Sequence, residues 1–271
     1  MLGKLFKYQM KSVSKILIII HAAVLVFGLL LGIAAPALSF ESSSTAGSGV
    51  PVYEMLFIFA AVLFIFMLAG VVYTVYILLA IRFYRNMFTD ESYLTHTLPV
   101  RPGTLLFSHI LTFCVWYIIS MIVLFLSIAL LVIGAGGGSE ILELIRGIPA
   151  YYHTNMFAVI ICILQFFIVS AVSCAAMIYA SICIGNLFAP HKVLASIVTY
   201  IIFYALMQII TIILMMLLPS MRSMMFAQTS YLYPPAALLR AMVWTEAETI
   251  LFAAVFWITS HIILKKHLNI Q

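Results

Sequence analysis

The sequence predicts an all-α, polytopic membrane protein with six transmembrane helices. Three observations carry this. Of the 271 residues, 66% are hydrophobic and 8% charged, whereas a soluble domain is about half apolar and a quarter charged. The apolar residues fall in six runs, five of them longer than the ~20 residues that a helical span requires. The basic residues gather in alternate connections between those runs. A mean hydropathy of +1.23 excludes disorder and collagen as well, because both need a polar chain.

The first fifteen residues form an amphipathic stretch. Lys4, Lys7, Lys11 and Lys15 are spaced three or four apart, and Leu2, Leu5, Phe6, Met10 and Val13 lie opposite them. That pattern is an interfacial helix with its lysines toward anionic headgroups. Ile16 to Leu38 is then the first span, retained rather than cleaved, because its apolar stretch exceeds the 7–15 residues of a signal peptide. The second span is Met55 to Ile81, the third Leu105 to Ile133, the fourth Met156 to Ile184 and the fifth Val193 to Leu218. The sixth, Thr249 to Leu264, is short, which leaves two options. Either it begins earlier, or a membrane-dipping segment such as Ala236 to Trp244 precedes it after Pro234 and Pro235.

With both termini cytoplasmic, the inner segments carry Lys4, Lys7, Lys11, Lys15, Arg82, Arg85, Arg101, Lys192, Lys265 and Lys266, ten of the thirteen basic residues. Arg146, Arg222 and Arg240 fall outside, with Glu41, Glu54, Glu140, Glu143, Glu246 and Glu248. The positive-inside rule selects this orientation. The net charge of +5 thus serves topology and does not indicate a nucleic-acid partner.

Between the second and third spans, Thr89 is a candidate N-cap, Asp90 and Glu91 suit the positive end of a helix dipole, and Pro99 stops the helix. Tyr93, Leu94 and Leu98 would project apolar knobs from this two-turn cytoplasmic element, a surface suited to docking another protein.

Three segments together resemble the ABC-2 type permeases of the type V fold, in particular the six-span permeases of small Gram-positive exporters of bacteriocins or phenol-soluble modulins. They are Met1 to Tyr8, Arg82 to Asn86 and, most specifically, Asp90 to Val100, in which Ser92 stands where related sequences often have glycine. The resemblance covers essentially the whole chain as one permease domain. It implies that residues 1–15 are an elbow helix. It also implies that residues 86–98 contain a coupling helix seated in a separate ATP-binding subunit, with Arg85, Phe88, Asp90, Glu91, Tyr93, Leu94, His96, Leu98 and Arg101 as the contact set. Two such subunits, carrying the ATP and Mg, would serve a dimer of permeases, with a homodimer favoured, in a bacterial cytoplasmic membrane.

The chain's own residues fit a subunit without catalysis. No Gly-x-x-x-x-Gly-Lys-Ser/Thr loop for phosphates occurs, Gly3-Lys4 being followed by Leu5. No nucleophile and base pair or His-Glu-x-x-His motif marks an intramembrane enzyme. The cysteines, Cys114, Cys162, Cys174 and Cys183, all lie in apolar runs without metal spacing. As bounded above, the spans hold no Asp, Glu, Lys or Arg, the usual ion-coupling groups of secondary transporters, and His21, His109 and His261 read as packing residues. A channel remains open, as does a role in antibiotic immunity or lipid extrusion. Tyr73, Tyr76, Gln165, Tyr200, Tyr204, Gln208 and Thr211 are the candidate translocation path. Their scarcity among methionines and aromatics points to an amphipathic or hydrophobic cargo, and the resemblance points to a peptide moved outward.

Overall fold

A computed structural model describes residues 2–42, 52–89, 92, 101–188, 190–219 and 235–266. Among them the elements are seven helices: α1 (Leu2–Ser42), α2 (Val52–Phe88), α3 (Pro102–Gly134), α4 (Gly138–Tyr151), α5 (Met156–Gly185), α6 (Lys192–Leu217) and α7 (Pro235–Lys266). All but α4 contain a segment long and apolar enough to cross a membrane. Their large apolar side chains are largely exposed, Ile19 and Phe66 at 69% for example. Lipid, not protein, is the solvent for such a surface.

The helices outrun the apolar runs. The lysine-bearing start and the first span are one unbroken helix, because Lys, Gln, Met and Leu all favour helix and the boundary marked by hydropathy is that of the bilayer. Along that start Lys4, Lys7, Lys11 and Lys15 are exposed, Leu5, Phe6 and Met10 half-buried and Val13 buried. The last helix begins well before Thr249 and runs without a break from Pro235 to Lys266. Pro235 opens α7, where a missing N–H does no harm. The most evident departure is α4, a helix within what hydropathy marks only as a connection between two spans.

The chain divides into two compact units. One comprises Tyr8–Leu78 and Val115–Val159. Its core is Val24, Leu31, Phe64 and Val71, with the Phe27 and Phe64 rings stacked at 6.2 Å. Here α1 crosses α3 at glycines. A Cβ on Gly32 would lie 2.8 Å from the Leu131 carbonyl oxygen, and one on Gly134 would lie 2.7 Å from the Gly32 backbone. Spacing by four puts Gly28 on the same face, where Ser127 donates to the Val24 carbonyl at 3.1 Å. One turn back, buried His21 bridges the helices, with Nδ1 2.5 Å from the Leu17 carbonyl and Nε2 2.9 Å from the Ser120 hydroxyl. Since a carbonyl only accepts, Nδ1 is the donor to Leu17, while the Ser120 hydroxyl that meets Nε2 also donates to the Trp116 carbonyl at 2.7 Å.

The other unit comprises Met1–Lys7, Leu79–Cys114 and Ile160–Gln271. Ala171, Ala175, Ala176 and Ala180 on α5 are all buried and allow close helix approach. Ala176, Met177, Ala180 and Phe256 form a cluster against which Tyr200 and Phe203 pack. Ser173 and Ser181 are buried, and Ser181 donates to the Met177 carbonyl of its own helix at 2.7 Å. The four cysteines are free thiols.

Candidate functional site

Two places in the second unit combine polar or aromatic chemistry with defined geometry. The first lies on α7, in the sequence Thr245-Glu246-Ala247-Glu248-Thr249. Residues two apart on a helix point to nearly opposite sides, so the two carboxylates address different neighbours. Gln165 of α5 donates its amide to Glu246 at 2.9 Å, and Thr211 of α6 donates its hydroxyl to Glu248 at 2.7 Å. Thr249 is turned back on its own helix, donating to the Thr245 carbonyl at 2.7 Å.

Depth follows from helix rise. At 1.5 Å per residue, Gln165 lies about 30 Å along α5 from Gly185, Thr211 about 28 Å along α6 from Lys192, and Glu248 about 25 Å along α7 from Lys265. The three helices therefore place their polar groups at one level, about a hydrocarbon thickness from their basic or connecting ends. Glu246, Glu248, Gln165 and Thr211 join three candidate spans by side-chain hydrogen bonds at that level.

Sequence reasoning had Gln165 and Thr211 as path residues but left both glutamates in an outer segment. Polar residues lower the hydropathy of 235–248 without interrupting the helix. Pro235 followed by Ala, Leu and Met was the available signal that α7 starts there. The remaining path residues do not join this cluster. Gln208 and Tyr204 are exposed on α6 and Tyr200 packs on the Phe256 cluster. Tyr73 and Tyr76 belong to the other unit, Tyr73 being exposed and Tyr76 stacked on Tyr117 at 6.3 Å.

The second place is the far end of α2. The helix continues through Arg82 to Phe88, and this extension is anchored. Phe83 is fully buried, stacked on the ring of Tyr179 at 4.1 Å and edge-on to His109 at 5.2 Å. Met87, one turn on, is 1% exposed. Tyr179 is itself fully buried, and its hydroxyl donates to the His109 carbonyl at 3.3 Å. One aromatic stack thereby ties α2, α3 and α5 together directly before residue 90. Thr89 donates to the Arg85 carbonyl at 2.7 Å, and its own carbonyl accepts from the Ser92 N–H at 2.7 Å.

Of the expected contact set, Arg85 is exposed in the last turn of α2, Phe88 is half-buried beside Phe83, and Arg101 is exposed at the entry to α3. Asp90, Glu91, Tyr93, Leu94, His96 and Leu98 lie outside the described residues, as do Pro234 and residues 220–233. Among the described residues no three His, Cys, Asp or Glu side chains come together as a metal site. No family model, no curated protein and no solved structure matches the chain.

Proposed function

We propose that this chain is the transmembrane permease subunit of an ATP-driven exporter of the ABC-2 type, carrying an amphipathic peptide out of the cytoplasm or inner leaflet. The anchored extension of α2 is the observation that carries the reading. A docking segment transmits force only when its base cannot swivel, and the Phe83, Tyr179 and His109 stack supplies a stiff base for residues 90–98. Aromatic contacts of this kind add to a packed core that resists deformation. In this reading the partner subunits bind ATP and Mg, close on each other and pull the docking segment. The pull passes through α2 into the spans and opens a path outward. The lysine-bearing start carries α1 past the cytoplasmic headgroups, where Lys4, Lys7, Lys11 and Lys15 meet them, both termini are cytoplasmic, and two copies of the permease pair with two ATPases.

The test is purification from the native membrane in mild detergent, with co-purifying chains identified and native mass measured, followed by vesicle transport with the double variant Tyr93→Asp, Leu94→Asp. The expected result is one ATP-binding subunit per permease, and a variant that stays folded but loses ATP-dependent export. Export unchanged in that variant removes the docking assignment.

One observation favours a second reading, an ion-coupled transporter working without an ATPase. Glu246 and Glu248 stand on a candidate span and share hydrogen bonds with two others, and intramembrane carboxylates serve such coupling elsewhere. Transport that persists without ATP and fails in Glu248→Gln selects this reading over the first.

A further inference from the structure

The helix α4 does not belong to either functional place, and its chemistry is distinct from that of every other element. Projected at 100° per residue, Ile141, Leu144, Ile145, Ile148 and Tyr152 fall on one half of the circumference, while Ser139, Glu140, Glu143, Arg146 and Gly147 fall on the other. All five residues of the polar half are exposed. On the apolar half Ile141 and Ile148 are half-covered, but Leu144 remains 65% exposed and Ile145 44%. No residue of the helix is buried.

Both joints of α4 are defined. At its start, Gly136 takes a φ of +92°, open to glycine without strain, and the Gly137 N–H donates to the Val132 carbonyl at 2.9 Å. At its end His153, at φ +51°, reverses the chain in the left-handed conformation that closes helices. The Thr154 N–H then donates to the Pro149 carbonyl at 3.0 Å, and Asn155 caps α5 by accepting from the Ala158 N–H at 2.8 Å. Tyr151 and Tyr152 sit at this joint with their rings edge to face at 5.2 Å.

These joints restrict how α4 can lie. It is about 21 Å long, and its ends connect to two helices that reach the same membrane face. Standing upright, its far end would be carried about 21 Å from the end of α3, more than the about 14 Å that a four-residue link spans, so α5 would have to rise out of the membrane with it. Plunging into the bilayer, it would bury Glu140, Glu143 and Arg146 in hydrocarbon without the partners such groups require. Lying flat meets both conditions. Exposed apolar side chains also flank the helix on both sides, Ile133 before it at 54% and Phe157 after it at 72%.

We propose that α4 is an interfacial helix bound to the lipid of that membrane face, its apolar half set into the acyl boundary and its polar half in water. The occupant of the uncovered face is the bilayer itself. Aromatic residues concentrate at this depth in membrane proteins, as Tyr151 and Tyr152 do here. The polar half carries two glutamates against one arginine, so attachment comes from apolar insertion and does not require anionic headgroups.

The test is a nitroxide scan of the full chain in phosphatidylcholine vesicles. Single cysteines replace residues 139 to 148 in a Cys162→Ser background, with that background labelled alongside as the blank. Collision rates with oxygen, which partitions into lipid, are compared with those of a water-soluble nickel chelate. The expected result is a 3.6-residue period, with oxygen favoured at Leu144→Cys and Ile148→Cys and nickel favoured at Glu143→Cys and Arg146→Cys, each by roughly threefold or more. Vesicles with added phosphatidylglycerol should give the same pattern. Nickel favoured throughout would place the helix in water and overturn the proposal. Apolar positions reached by neither reagent would show a protein surface there, a second copy or another chain, and would overturn it equally. The polar-face labels disturb no packed atom, so a shared loss of their nickel access would decide the matter even if an apolar-face variant failed to fold. None of these outcomes depends on ATP or on a partner ATPase.

Discussion

Replacing Gly32 with alanine adds one methyl group at the α1 and α3 crossing, and the structure states what it meets. The new Cβ would lie 2.8 Å from the Leu131 carbonyl oxygen, 2.9 Å from that of Leu130 and 3.0 Å from the Leu131 Cα. All three are backbone atoms, so no side chain can rotate away, and the helices must separate by about half an ångström to restore van der Waals contact. A gap of that size forfeits about a quarter to a half of the ~0.1–0.2 kcal/mol in each surrounding atom pair. With residual strain, overpacking of this kind costs about 1–3 kcal/mol. Gly70 on α2 is the internal control, because a Cβ there meets nothing within 4 Å and alanine in its place gains ~1 kcal/mol of helix propensity. Both variants would be followed by thermal unfolding in detergent, where 1 kcal/mol moves the midpoint by roughly 2–4 °C at about this chain length. Gly32→Ala carries the same propensity gain, so its Tm should lie several degrees below that of Gly70→Ala, which should leave Tm unchanged or raise it. Equal shifts for the two would refute the close crossing.

Three further outcomes are expected. A double-mutant cycle of Glu248→Ala and Thr211→Ala, read as unfolding midpoints, should give a coupling of about 1.5–3 kcal/mol, the range for a hydrogen bond to a charged group; zero coupling would show that the side chains do not meet. Ser120→Ala leaves the buried Nε2 of His21 without its side-chain partner and should destabilise by about 1–3 kcal/mol, whereas His21→Leu with Ser120→Ala should recover part of that loss. Phe83→Ala empties the fully buried position under the α2 extension and should cost about 3–5 kcal/mol. In vesicles held well below the lowered Tm, that variant should also show ATP hydrolysis without matching transport, and normal coupling there would remove the stiff base from the mechanism.

The six membrane helices were legible because hydropathy reports the solvent, and lipid demands long apolar runs. What hydropathy does not report is where a helix ends. The lysines of residues 4–15 and the glutamates of residues 246–248 are polar and helical at once, so helix and bilayer boundaries part company there. The pairing of Gln165 and Thr211 with these glutamates was hidden for that reason. The amphipathic period in 138–151 is present in the letters, but the segment is too short and too charged to register as a span, and its joints depend on a left-handed His153 that composition does not announce. Gly28 and Gly32 have the four-residue spacing of close helix contacts, yet spacing alone does not say which helix approaches. Tyr179, central to the aromatic stack, is one aromatic in a chain with many, and nothing in the sequence distinguishes it.

The His21 bridge also bears on how the protein is made. His21 and Ser120 are 99 residues apart in the chain, and Ser127 lies 103 residues from Val24. At a synthesis rate of ~5–20 residues per second, the first helix exists for roughly 5–20 s before its partner emerges. During that interval the His21 imidazole and the Gly32 backbone lack their α3 partners and must be held by lipid, water or the insertion machinery. Variants at Gly28 and Gly32 would leave that waiting period unchanged and disturb only the docking that ends it, so their products should insert normally and fail late.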